Sequence, residues 1–422
     1  MAMMGKENNN MTYEEVVAYL ASRDMTMSRY ERVDWDRFVE KIRLSLNVPF
    51  VHLTGSNGKG STANYLYGIY RSAGYKVALF SKPYFYQVNE MIQISGEMIN
   101  DKDFARIFTE KEAEIKAANL SSFEIETYIA FAYFNEQKVD LAIIECGMGG
   151  VTDSTNLVNA IPLLSIITTV SLEHTGFLGR TVSEIALNKG GIIKRDAPVL
   201  VGQLDESADN VLKDLSKRNH SLYYIVDAYH NEVYDKPYYR FEYQPYKNLE
   251  ILSPAKYQLA NASMAVEAVK ILRSRFPASE DALRHGLLLP SLPCRMERHH
   301  NIILDGAHNP EAVEALMNSL LPLAEGKPIH VVFASLRDKN IAVELPRIDR
   351  DVKEIVLTTF PSNRARNEED YFLYEGDYAF NPDYKEVINN FLVKYPDDLI
   401  LITGSLAFAA LAKKYVESEL KL

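Results

Sequence analysis

The segment Thr54-Gly55-Ser56-Asn57-Gly58-Lys59-Gly60-Ser61-Thr62 follows a short apolar run, Phe50 to Leu53, and opens a helical pattern that ends near Ala73. A second strand-like run, Lys76 to Phe80, comes next. Strand, glycine-rich turn, helix and strand make a βαβ unit with its glycines at the strand-to-helix turn. Gly55, Gly58 and Gly60 reach backbone angles closed to other residues and let N–H groups converge on phosphate oxygens. The helix that starts there turns its positive end to the same point. Lys59 adds a point charge, and the Ser61 hydroxyl can reach a magnesium ion. The common phosphate loop, G-x-x-x-x-G-K-[ST], is not matched letter for letter, because Gly60 stands between Lys59 and Ser61. A merely solvated turn would not explain the strand before it and the helix after it. Gly55, Asn57, Gly58, Lys59, Gly60, Ser61 and Thr62 are therefore expected to bind a nucleotide.

The same alternation continues. A helix with an aromatic face is expected from Phe123 to Asn135, and strands at Val139–Ile144, Leu163–Thr169 and Pro198–Val201, with a helix from Thr181 to Ile193. Tyr13 to Leu46 reads as helix, polar turn around Asp24 to Tyr30, and helix. Residues 205–254, rich in Tyr, Asp, Asn and Pro, read as an antiparallel excursion on the sheet edge. A helix spans Tyr257 to Leu272, and Leu289-Pro290-Ser291-Leu292-Pro293 reads as a linker, since two prolines break helix and ladder alike. A second α/β series follows, with strands at Ile302–Leu304, His330–Ala334, Glu354–Thr358 and Leu399–Ile402. Helices are expected from Pro310, near Val387 and after Ser405. At 422 residues the chain exceeds the size of a single core, and the expected division is 1–293 and 294–422, with chemistry in the cleft between the two domains.

Forty-six Lys plus Arg stand against 57 Asp plus Glu, a net charge of -11, which disfavours nucleic acid and anionic membranes as partners. Cys146 and Cys294 are too few and too far apart for a disulfide scaffold or a spaced metal site, and read as buried fillers. The N-terminal stretch lacks the pattern of a signal peptide, and no run reaches about 18 apolar residues. A cytoplasmic location and a frayed first ten residues are expected.

Strand ends carry the remaining candidates, as in open parallel sheets. Glu145 follows the run Val139 to Ile144, where a carboxylate must be solvated, paired or metal-bound. His174 lies after the next strand. With Ser61 these side chains suit a partly hydrated magnesium ion. An ordinary hydrogen-bonded glutamate and a satisfied histidine remain the alternative. Lys189 reads as a helix C-terminal lysine meeting the dipole. Asp305, in Asp305-Gly306-Ala307-His308-Asn309-Pro310, could grip ribose hydroxyls, His308 could touch phosphate or a second substrate, and Arg295 could bring a cation to the cleft. A generic turn and a surface arginine would explain each one separately.

GSNGKGS, ECGMGGVTDSTN, SLEHTGFLGRT, NKGGI, YQLANA, CRME and DGAHNP occur in one order along this chain. That ordered set resembles the folylpolyglutamate synthase / dihydrofolate synthase family, a branch of the Mur ligases, from about Tyr13 to the C-terminus. The resemblance implies a P-loop-containing, Mur ligase-like α/β central domain and a smaller C-terminal Rossmann-like α/β domain that close on each other. It implies ATP and Mg2+ as cofactors, and an amide ligase that joins L-glutamate to a folate, or to dihydropteroate, through an acyl phosphate. By the same resemblance Lys59 and its glycines hold phosphate, and Ser61, Glu145 and His174 bind magnesium. Lys189 matches a lysine that is often carbamylated, which would make it a further ligand. Asn261 falls on the adenine side, Arg295 and His308 near phosphate, Asp305 on ribose, and Phe123 and Asp153 where the pterin is handled. Lys59, Lys189, His174 and His308 are the catalytic set it implies, in a chain expected to act as a monomer.

Several positions depart from the family pattern. Ser81-Lys82-Pro83-Tyr84 stands for Ser-Ser-Pro-His, Met91 and Val151 for arginines, Glu173 for Asp, Tyr257 for His, and Cys294 for Gly. The lost arginines remove charge that could pair with a carboxylate. A Mur-type ligase acting on a non-folate carboxylate is therefore the competing reading, and a nucleotide-binding protein without catalysis is a third.

Overall fold

Phe50–Thr54 (β1) is buried along its whole length, as a strand covered on both faces must be. In the computed structural model, which describes residues 11–23, 32–371 and 378–421, β1 lies near the centre of an eight-stranded sheet. The other strands are Val77–Phe80 (β2), Ile92–Ile94 (β3), Glu97–Met98 (β4), Leu141–Glu145 (β5), Leu164–Ile167 (β6), Val199–Val201 (β7) and Tyr223–Ile225 (β8), in the order β4-β3-β2-β5-β1-β6-β7-β8. β2, β5, β1, β6, β7 and β8 run parallel, and β3 and β4 extend the edge antiparallel. β5 and β6 flank β1, so the turn after β1 lies beside the C-terminal ends of both, the position open parallel sheets give their ligands.

One core cluster gathers Trp35, Phe38, Phe104, Phe108 and Phe131 with Phe80 and Ile144 of the sheet. Another joins Ile167, Val199 and Val201 to Ile185 and Leu212. Helix Ser122–Gln137 starts from a capping box, with the Ser121 side chain on Glu124 N and the Glu124 side chain on Ser121 N, which fixes where Phe123 begins its turn.

The chain forms two compact units: the described residues of Met1–Val226 with Met264–Gly286, and those of Asp227–Ser263 with Leu287–Leu422. The expected boundary at 293/294 differs from this by assigning 227–263 and 287–293 to the first domain. The physical reason is packing. Ala255 belongs to the apolar cluster of Ile303, Leu316, Val331 and Leu401, against which Tyr234 and Tyr257 also pack, and Lys256 N donates to Ser319 Oγ at 3.1 Å. The expected antiparallel excursion on the sheet edge is corrected in two ways. Residues Glu206–Arg218 form a helix and β8 joins the first sheet in parallel, whereas His230–Asp235 (β9), Tyr238–Tyr243 (β10) and Tyr246–Leu252 (β11) make a separate antiparallel sheet of the second unit.

The second unit also holds Arg295–His299 (β12), Ile302–Asp305 (β13), Ile329–Phe333 (β14), Glu354–Leu357 (β15), Ala379–Phe380 (β16) and Leu399–Thr403 (β17), ordered β12-β13-β17-β14-β15-β16. All pairs are parallel except β12 with β13. Pro310 opens helix Pro310–Ala324 behind the Asn309 cap, as expected. Leu289 to Pro293 carry neither helix nor strand. Both cysteines are buried and free. The readings for the first ten residues and for the turn at Asp24 to Tyr30 lie outside the described residues. Among the described residues no helix is long and apolar enough to cross a membrane.

Candidate active site

The glycine turn is held from the side by the end of β6. Asn57 N donates to Thr169 Oγ1 at 2.8 Å, Thr168 Oγ1 donates to Asn57 O at 2.6 Å, and Ser171 N donates to Ser56 Oγ at 2.9 Å. Gly55 has a φ of 152°, and a Cβ there would fall 1.9 Å from Thr168 Oγ1, so only glycine fits. Gly58, with φ 84°, precedes helix Lys59–Ser72, which no side chain caps. Its first-turn dipole and N–H groups thus face the turn and favour an anion. Lys59 Nζ donates to Gly55 O at 2.7 Å and Ser56 O at 3.3 Å, which keeps the cation over the turn. Ser61 and Thr62 are buried in the same first turn.

Glu145 ends β5, in register with Leu53 of β1, and is buried. Ser81 Oγ donates to its Oε2, and Lys82 N donates to the same oxygen at 3.3 Å. Burial pushes the Glu145 carboxyl up, opposed by the nearby Lys59 charge. Gly147 to Gly150 follow. A Cβ on Gly150 would lie 2.6 Å from Lys189 O, so this run packs directly on the end of helix Val182–Lys189. Asn188 completes the contact, with its Oδ1 accepting from Gly150 N at 3.0 Å and its O accepting from Val151 N at 2.9 Å.

Lys189 is fully buried and its Nζ donates to Glu173 Oε1 at 2.7 Å. Burial lowers the lysine's pKa, with Glu173 opposing that shift. The Glu173 carboxyl is held below its usual range; burial acts the other way and is outweighed by Lys189 and Lys59. His174, beside it, sits at a φ of 45° and is half-buried. Among the described residues, Glu145 and His174 do not fall in a group of three acid, imidazole or thiol ligands; the one such group is Glu297, His299 and Glu417 in the second unit. There Lys413 Nζ already bonds both glutamates.

Both expected substrate contacts on the acceptor side are engaged by the protein itself. Asp153 is buried and accepts from Met148 N at 2.8 Å and from Thr155 N at 3.0 Å, so it braces the glycine run. Phe123 stacks on Phe80 with centroids 5.7 Å apart, and Lys82 Nζ sits 4.1 Å from its centroid. Glu126, one turn further along the helix, is buried, and burial raises its carboxyl to about 7. Arg32 Nη1 donates to Val151 O, Asp153 O and Asn156 O at 3.2, 3.1 and 2.8 Å, which ties the loop that follows the glycine run to the start of helix Val33–Ile42.

In the second unit Asp305 ends β13, is buried, and accepts from Tyr257 Oη at 2.7 Å, Met296 N at 2.9 Å and Ala307 N at 2.8 Å. Burial raises its carboxyl, with Arg295 opposing. Arg295 and Asp305 are register partners across β12 and β13. His308 Nδ1 lies 2.9 Å from Gly306 O, and Asn261 Nδ2 donates to Gln258 Oε1 at 2.9 Å. The first unit thus carries Gly55 to Thr62, Phe123, Glu145, Asp153, His174 and Lys189, and the second carries Asn261, Arg295, Asp305 and His308.

Sequence reasoning assigned no role to Thr168, Thr169, Arg32 and Glu126, and treated Lys82 and Glu173 only as departures from a pattern. Thr168 and Thr169 close the run Leu163 to Thr169, so a hydroxyl pair at a strand end was the available signal. Arg32 and Glu126 act through contacts distant in sequence and gave none.

A model of the Mur ligase middle domain matches residues 53–269, and one of the Mur ligase glutamate ligase domain matches residues 294–406. The chain is 31% identical to a folylpolyglutamate synthase of Lacticaseibacillus casei over 96% of this chain and 98% of that one. It is 32% identical to a dihydrofolate synthase/folylpolyglutamate synthase of Bacillus subtilis (strain 168) over 86% and 89% of the two chains. A solved structure described as an FPGS-AMPPCP-folate complex superposes with a TM-score of 0.84 at 29% identity, covering 96% of this chain and 100% of that one. With both domain models matched in sequence order and similarity across nearly the full length of these relatives, the chain belongs to the folylpolyglutamate synthase / dihydrofolate synthase family of the Mur ligase superfamily.

Proposed function

We propose that this protein is an ATP-dependent ligase that joins L-glutamate to the carboxylate of a folate, and that it also accepts dihydropteroate. The observation that carries the ATP half is the pinned turn from Gly55 to Ser61, with Lys59 held over it and no side chain capping the helix behind it. The folate half is supported by the relatives, one solved with AMPPCP and folate and one named for both synthase activities.

In this reading Gly55, Asn57, Gly58, Lys59, Gly60 and Thr62 cradle the phosphates of ATP. A carboxylate oxygen of the acceptor attacks the γ-phosphorus and the bond to the ADP oxygen breaks, giving an acyl phosphate. The amino group of L-glutamate then attacks the acyl carbon, phosphate leaves, and the amine loses its proton as the amide forms. Lys59 offsets charge on the transferring group throughout. The residues present suit a hard divalent cation, since Glu145 keeps Oε1 without a donor among the described residues and Ser61 offers a hydroxyl at the helix start. Ser61, Glu145 and His174 would hold magnesium, which supplies positive charge to the phosphate oxygens. Lys189, if carbamylated, would exchange its ion pair with Glu173 for a carboxylate-like oxygen. Phe123 and Asp153 border the acceptor. In the second unit, which provides the glutamate ligase half of the machinery, Asn261 serves the adenine side, Arg295 and His308 the phosphate, and Asp305 the ribose.

The test is a product assay with ATP, magnesium, L-glutamate and either tetrahydrofolate or dihydropteroate. Addition of one glutamyl residue, detected by mass, is expected for each acceptor. No glutamylated product from either would sink the folate reading, and turnover with a non-folate carboxylate alone would replace it with the broader Mur-type activity.

A further inference from the structure

Lys82 follows β2 and lies where three parts of the first unit converge. Its Nζ is 4.1 Å from the Phe123 centroid, and a Cβ on Gly147 would fall 2.8 Å from that nitrogen and 2.5 Å from the Phe123 ring. Ammonium, ring and glycine run therefore meet at one point, and only the missing Cβ of Gly147 makes room for it. Lys82's own N–H donates to Glu145, which places the residue against the acid that flanks the phosphate turn.

Among the described residues the ammonium has no oxygen acceptor, and it faces the Phe123 ring and the Gly147 run. An ammonium has three donors to satisfy. Lys82 is half-buried, and the ring covers one side of its ammonium. The donors that the ring leaves are open to an arriving anion.

The surroundings narrow what arrives. Burial lowers the Lys82 pKa; Asp153, Glu126 and Glu145 oppose that shift, and Lys59 adds to it. The phosphates already have the turn and Lys59. One monoanionic group carried on an apolar or flat body, which the Phe123 ring can border, satisfies the ammonium without crowding those acids. The acceptor's carboxylate has that chemistry, and it must come within reach of the phosphoryl group that Lys59 attends.

We propose that Lys82 binds the reacting carboxylate of the acceptor and orients it for attack on the γ-phosphorus. The ammonium keeps its proton throughout; the carboxylate oxygen gains the bond to phosphorus as the bond between phosphorus and the ADP oxygen breaks, and the electron pair leaves on ADP. This inference rests on the folate-ligase reading for the identity of the acceptor and adds the residue that holds its reacting end.

Lys82→Met keeps the length and removes the charge. Its acceptor KM is expected to rise about ten- to a hundredfold, the range for a lost hydrogen bond to a charged group, while the KM for ATP stays at the wild-type value. Lys82→Arg is expected to recover part of the acceptor affinity. A second readout needs no variant: the wild type should bind the folate acceptor more tightly than the analogue whose reacting carboxylate is a carboxamide, and Lys82→Met should erase that preference. Unchanged acceptor KM in Lys82→Met, or equal losses for ATP and acceptor, overturns the inference. So does a wild type indifferent to the carboxamide change. A wild type that ignores folate acceptors altogether overturns the substrate reading and this inference with it, whereas a wild type that uses them while Lys82→Met performs equally overturns this inference alone.

Discussion

Glu145 and Asp305 are two acids in the same kind of place, each closing a buried parallel strand, one in each unit. Burial raises both carboxyls. Their oxygens are used differently. Asp305 Oδ1 takes Ala307 N, and its Oδ2 takes Tyr257 Oη and Met296 N, so both oxygens brace the turn that carries His308. Ser81 Oγ and Lys82 N instead converge on Oε2 of Glu145, and its Oε1 keeps its acceptor capacity among the described residues. A strand-end acid is thus a brace in one unit and an available ligand in the other, and the number of donors the fold aims at it decides which.

The sharpest way to break this contrast is to neutralise both acids. Glu145→Gln is expected to lower kcat/KM by about 10²–10³-fold, the scale of a lost electrostatic partner at a reacting phosphoryl group, with its denaturant midpoint near that of the wild type. Asp305→Asn should do the reverse in kind. It leaves a buried donor without its acceptor, at a cost of about 1–3 kcal/mol in stability, read as a lower midpoint, with a smaller loss of activity than Glu145→Gln. Equal effects of the two substitutions on both measurements would erase the distinction.

Gly55→Ala tests whether the turn is as tightly held as its bonds suggest. The new methyl would displace Thr168 Oγ1 and its bond to Asn57 O. A destabilisation of about 1–3 kcal/mol is expected, together with weaker ATP binding in calorimetry. Wild-type ATP affinity in this variant would show that the contact with Thr168 does not set the shape of the turn.

A smaller effect compares buried acids that end no strand. Burial raises Glu126 in the first unit and Glu344 in the second from 4.5 to about 7, against opposing charge from Lys82 and from Lys339 and Arg366 respectively. Between those values the folded state keeps a proton that the unfolded chain has released, so each group makes stability fall as pH rises from 4.5 to about 7 and adds no slope above. Glu126→Gln and Glu344→Gln should each remove part of that slope in denaturant titrations, and the double variant should remove both parts. A slope unchanged in the double variant would show that neither carboxyl holds its proton in the folded protein.

Much of the frame was legible because it rests on local pattern. The run Phe50 to Leu53 before three glycines and a helix marks β1 and its turn without any knowledge of neighbours, and Pro310 behind Asn309 marks a helix start in the same way. What escaped depends on partners far along the chain. Whether 230–252 lies on the first sheet or forms its own is decided by Ala255 and Tyr257 packing beside Ile303 and Leu316, which no window of sequence displays. Lys82 was visible only as a departure from a pattern; its meaning comes from Phe123 and Gly147, about 40 and 65 positions away. Asp153 was expected at the acceptor, and its bonds to Met148 and Thr155 show that it shapes the glycine run.

In the proposed reaction an acyl phosphate forms from ATP and a folate carboxylate and is consumed by glutamate. Its most direct test is the time course of ADP release with ATP, magnesium and folate acceptor, first without and then with L-glutamate. A single turnover's worth of ADP is expected until glutamate is added, and continuous release afterwards. Continuous release at the same rate without glutamate, or none without regard to the folate, would contradict it.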